Sequence, residues 1–160
     1  AAAAADGLAG LELQLAFTSS NYYRACSALW EVPGWPPDAW QGVFEQAWFR
    51  GSFFMDEIAF VHRPSGTAIF ADLSEHFSES FLEQNWKGWK GLFAKPWGIV
   101  VGKGYAPLEW RLSFINRKPA RDAFDKVAAT HPDRIIMAHG EWIPTGGEAF
   151  LRQAFAWLVR

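Results

Sequence analysis

Three strand-forming runs follow one another between residues 43 and 72 with only tight turns between them, and this series restricts the fold more than any other feature. Val43 to Phe49 and Asp56 to His62 are rich in aromatic and β-branched residues and are separated by a turn at Arg50-Gly51-Ser52. Such runs suit a pleated, half-buried surface. His62-Arg63-Pro64-Ser65-Gly66-Thr67 supplies the Pro and Gly of a second turn, and the third run, Thr67-Ala68-Ile69-Phe70-Ala71, ends at Asp72. Parallel pairing needs a long crossover, so connections this short predict an antiparallel meander.

The C-terminal third carries its own signals. Pro119 sits well in a first helical turn, and Ala120, Ala123, Phe124, Val127 and Ala128 form an apolar stripe at helical spacing. Asp122 and Lys126 are placed for an i,i+4 pair on the outer face. His131-Pro132-Asp133 ends that helix, and Arg134 to Ala138 reads as a strand closed by His139-Gly140. Thr145 with Glu148 three residues on resembles a capping box for a last helix bearing Leu151, Ala154, Phe155 and Leu158 on one face.

Elsewhere the pattern is less regular. Residues 11–17 alternate as a strand does, and 20–31 fit a short helix. Val32-Pro33-Gly34-Trp35-Pro36-Pro37-Asp38 then forbids any continuous helix. It divides an irregular N-terminal segment, 1–36, from a main domain, 37–160. Phe81, Leu82, Trp86, Trp89 and Phe93 recur at helical steps, weakened by Gly88 and Gly91. Meander, helix, loop, helix, strand and helix together give a layered α+β or α/β domain.

Composition narrows the function. A net charge of -2 gives no electrostatic footing for nucleic acid. No apolar run is long enough to span a membrane, which leaves only peripheral association with a membrane complex. The single Cys26 excludes an internal disulfide and fits a reducing intracellular compartment, cytoplasm or organelle interior. Ten tryptophans are the outlier. Trp serves cores and interfaces alike, and Trp30, Trp35, Trp40, Trp86 and Trp89 are the candidates for contact with another protein subunit.

Two polar residues mark the chemistry. Asp72 and His139 each lie just past a strand run, where the strand fixes a side chain and the loop leaves it accessible. Asp72, Glu75 and His76 are the one close set of metal-type donors, although Ser74 with Glu75 also reads as a helix cap. The remaining histidines, His62 and His131, sit beside turn prolines and read as structural. None of the four makes a local chelating pair, and no catalytic residue can be assigned.

From about Trp40 onward the chain resembles a poorly characterised branch of the metallo-β-lactamase-fold superfamily. The matching residues are Glu57-Ile58-Ala59-Phe60-Val61-His62-Arg63-Pro64-Ser65, Ala68-Ile69-Phe70-Ala71-Asp72-Leu73, Ile135 to Trp142, and Thr145-Gly146-Gly147. The resemblance implies an αββα sandwich, cut down in its N-terminal half, with a metal site at one sheet edge. Asp72 would match the bridging aspartate and His139 the last histidine ligand, with His76 as a third donor to a residual site. The superfamily's His-x-His-x-Asp-His motif is absent between Ala1 and Gly66. The expectation is therefore a catalytically degenerate domain, not an enzyme and without a cofactor, acting as a binding or accessory subunit of a larger assembly. The alternative is a metal-dependent ester, thioester or phosphoester hydrolase that holds zinc, iron or manganese with further ligands from outside this chain.

Overall fold

The computed structural model describes residues 38–78 and 103–159. They form a mixed α+β fold of one four-stranded sheet and four α-helices. The strands are β1 (Phe44–Phe49), β2 (Glu57–His62), β3 (Thr67–Phe70) and β4 (Arg134–Met137). The helices are α1 (Leu108–Ser113), α2 (Lys118–Ala128), α3 (Gly147–Ala154) and α4 (Ala156–Val159). The expected elements over 11–17, 20–31 and 78–93 fall wholly or almost wholly outside the described residues, as do Trp30, Trp35, Trp86 and Trp89.

Strand order is β1-β2-β3-β4. The meander forms as the turns dictate: β1 runs antiparallel to β2 from Phe44↔His62 to Phe49↔Glu57, and β2 runs antiparallel to β3 through Phe60↔Ile69 and His62↔Thr67. A 3-10 turn at Arg63–Ser65 makes the second reversal, and Gly66 closes it at φ 60, a left-handed conformation costly for other residues. β4 then joins parallel to β3, from Thr67↔Arg134 to Phe70↔Met137.

Alternation along the strands divides the core in two. Ala47, Phe49, Ala59, Val61, Ala68, Phe70, Ile135 and Met137 face the helices. There Phe155 meets the rings of Phe49, Phe70 and Phe124 at centroid distances of 5.4, 5.4 and 5.5 Å. The helix α2 buries the stripe Ala120, Ala123, Phe124, Val127 and Ala128 that its spacing announced. On the opposite face Trp40, Ile58 and Phe60 form a second cluster with Phe44, Trp48 and Ile69. Trp40 is 2% exposed, its ring 5.3 Å from Phe44 and 5.9 Å from Phe60. It is a core residue and offers no surface to a partner, contrary to the sequence expectation.

Two local expectations are also corrected. Lys118 takes Asp122 as its partner at 2.8 Å, and Lys126 instead crosses to Glu45 of β1 at 2.7 Å. The last helical segment starts at Gly147 with Gly146, not Thr145, as its N-cap. Gly147 donates its N–H to Asp133 O at 2.8 Å, and a side chain there would meet the Pro132 and Asp133 backbone at 2.8 Å. That close docking of α3 onto the approach to β4 fixes the helix start more strongly than a capping hydroxyl could.

Trp110 ties α1 to the sheet: buried, it donates its indole N–H to Met55 O at 2.9 Å. Trp110→Phe removes that donor and leaves a small void. A loss of about 1–2 kcal/mol in chemical denaturation is expected.

Candidate metal centre

Parallel pairing of β3 with β4 sets both strands' carboxyl ends at one edge. Phe70 and Met137 are register partners, and Asp72 and His139 each lie two residues beyond them. The two sequence-marked residues consequently converge, with His139 Nε2 3.0 Å from Asp72 Oδ1. Asp72 is largely buried and His139 half exposed, so the pair opens to solvent on the imidazole side.

Beyond Asp72 the chain does not form the helix that Ser74 and Glu75 had suggested. Ser74 is buried and donates its hydroxyl to Gly104 O at 2.9 Å. Residues 75–77 run alongside 139–141: His76 N–H donates to His139 O at 3.3 Å, and Glu141 N–H to His76 O at 2.8 Å. This parallel bridge pairs His76 with Gly140. Successive side chains of an extended segment point to opposite sides, so Glu75 and His76 cannot both face Asp72.

Glu75 is the residue that does. Asp72, Glu75 and His139 each present a ligand atom, all within 4.8 Å of one another. His76 is 8% exposed, with Nδ1 3.2 Å from Glu141 O and its ring edge-on to Phe150 at 5.1 Å. The expected third donor is therefore replaced by its neighbour in sequence, and His76 serves as a packing residue under the loop.

The electrostatics fit a cation. Burial pushes the Asp72 carboxyl up, with His139 pulling it back. Glu75 is pushed up to about 7, first by burial and then by the charges of Asp72 and Glu109. A buried carboxyl raised by the charge of its neighbour, as Glu75 is by Asp72, is stabilised in its charged form by a positive charge placed beside it. Asp72 Oδ1 is buried and accepts no well-aligned hydrogen bond, although the His139 nitrogen is near. Two carboxyls and one imidazole, open on one side, match the donor preferences of zinc, iron or manganese. No other group of three such donors occurs among the described residues.

One residue of this region escaped the sequence reading. Glu57, at the start of β2, is fully buried on the helix-facing side of the sheet. Its carboxyl accepts the N–H groups of Ala71 (2.9 Å), Asp72 (2.8 Å) and Leu73 (2.8 Å). Burial pushes this carboxyl up to about 8, with the Asp72 charge adding to that and the backbone donors opposing it. An acidic residue opening a strand reads as a solvent-facing end, and only the tertiary structure reveals its partners.

No family model, curated protein or solved structure matches the chain.

Proposed function

We propose that this chain is a metallo-β-lactamase-like domain that binds one divalent cation through Asp72, Glu75 and His139 and hydrolyses an ester, thioester or phosphoester. The observation that carries the reading is the convergence of three ligand atoms within 4.8 Å at the carboxyl edge of β3 and β4. Three protein ligands with one open side is the pattern of catalytic rather than structural metal sites. When bound, such a cation supplies Lewis-acid polarisation of a carbonyl or phosphoryl oxygen. Asp72 and Glu75 would contribute the negative charge that holds it, and His139 the imidazole nitrogen. Half-exposed His139 defines the side from which a substrate approaches.

Cobalt titration of the full chain tests the assignment. One site is expected, and Asp72→Asn, Glu75→Gln and His139→Ala should each weaken it by at least about tenfold. His76→Ala should leave the stoichiometry unchanged. A wild-type chain that takes up no cobalt or zinc would overturn the reading.

A second reading, an accessory subunit without catalysis, draws on a different region. Segments 51–54 and 112–115 lie together through Phe53 N–H to Ser113 O at 3.2 Å and Ile115 N–H to Gly51 O at 3.1 Å. They expose Phe53 (73%), Phe54 (50%), Leu112 (71%) and Ile115 (81%). Apolar side chains grouped in this way mark contact surfaces. Loaded protein that turns over none of p-nitrophenyl acetate, an acyl thioester and bis-p-nitrophenyl phosphate would favour this second role.

A further inference from the structure

The geometry points to Glu57 as the positioning residue of the cation site: by accepting the N–H groups of Ala71, Asp72 and Leu73, its carboxyl fixes the turn that aims Asp72 at Glu75 and His139. This role rests on the cation-site reading above and deepens it.

Glu57 supplies the acceptors for the amides of this turn, whose other described ties are Ala138 N–H to Ala71 O at 3.4 Å and the burial of Leu73. At Phe70 the chain leaves β3, and the next three amides have no strand or helix partner of their own. Unpaired buried amides are costly, and a flexible turn would let Asp72 swing. Glu57 answers both needs from a rigid place. Its Cα belongs to β2 and lies opposite Phe49 of β1 in register, three residues before the pairing of β2 with β3 begins at Phe60. Its side chain shares the helix-facing side with Ala59 and Val61. Oε1 takes the Ala71 N–H, and Oε2 takes those of Asp72 and Leu73. Three fixed acceptor contacts on consecutive residues leave the turn one conformation.

Glu57 holds Asp72 by its backbone N–H, so its positioning effect on a cation passes through Asp72. Partners of this kind, one step behind a ligand, commonly change metal affinity by about 10–100-fold when removed. Glutamine keeps the shape and one acceptor oxygen but sets its NH2 group against an amide N–H that the carboxyl now accepts.

The test is a cobalt titration of the full chain by visible absorption and calorimetry, with circular dichroism as the check on folding. Folded Glu57→Gln should bind cobalt at least about tenfold more weakly than wild type, with a shifted d–d band. Affinity within twofold of wild type and an unchanged band would overturn the inference while leaving the cation site standing. Wild type without cobalt uptake would instead remove the site itself. Should Glu57→Gln not fold, amide exchange of the wild-type chain decides. Cobalt is expected to slow exchange at Ala71, Asp72 and Leu73 more than along β1 and β2, and equal slowing would refute the role.

Discussion

Glu57→Ala is expected to destabilise the chain by about 3–5 kcal/mol, read from urea denaturation of the full protein. The substitution removes the acceptor of three consecutive amides and opens a void where side-chain exposure is 0%. Each abandoned buried donor costs on the order of 1–3 kcal/mol, moderated where water enters. Glu57→Gln retains the volume and one acceptor oxygen, and its cost should be nearer 1–2 kcal/mol.

The two variants also differ in pH dependence. The folded-state carboxyl is raised from 4.5 to about 8, so the native chain holds a proton there that the unfolded chain releases earlier. The associated stability is fully present below about pH 4.5 and is lost as pH rises through about 8. Wild-type stability should therefore decline across that window, by at most about 1.4 kcal/mol per pH unit from this one group. Glu75, raised to about 7, acts in the same direction. Glu57→Gln should flatten the decline without abolishing it. Denaturation midpoints at pH 5, 6, 7 and 8 provide the measurement, and an equally steep wild-type slope in the variant would contradict the assignment.

Gly140→Ala should damage stability and site together. Gly140 has φ +100, and a Cβ there would lie 2.3 Å from His76 O and 2.5 Å from its carbonyl carbon. Both obstacles are backbone, so no rotamer change relieves them. The bridge of His76 with Gly140 must open, and with the pairing of β3 and β4 it helps hold His139 level with Asp72. A loss of about 2–4 kcal/mol and of cobalt uptake is expected. Ala138→Gly makes a control in the same loop, since Ala138 is exposed and should leave cobalt uptake intact. Normal cobalt affinity in a folded Gly140→Ala would show that the bridge does not position the imidazole.

Much of this arrangement was legible from short-range pattern. The meander followed from turn chemistry, and the α2 stripe from its spacing, because burial decides both within a few residues. Asp72 and His139 stood out as polar ends of apolar runs. Their meeting required knowing that β4 lies parallel to β3, a choice made by residues far apart in sequence. Ser74 with Glu75 also suggests a helix start, because an extended segment and a first helical turn share the same polar residues; the chain after Asp72 runs extended instead. The Asp122–Lys126 spacing was equally persuasive, yet Glu45 on the neighbouring strand competed for the lysine. Trp40 illustrates the same limit: an indole after a proline-rich loop gives no local sign that Phe44 and Phe60 will enclose it.

The parallel placement of β4 against β3 carries a consequence for the timing of biosynthesis. Asp72 and Glu75 leave the ribosome well before His139, a separation of 67 positions between Asp72 and His139. At about 5–20 residues per second the delay is roughly 3–13 s. Over that interval Asp72 and Glu75 stand without the imidazole that completes the cluster. His139 reaches them only when Arg134–Met137 docks beside Thr67–Phe70. The three-donor cluster is thereby completed late, by the pairing of β4 with β3.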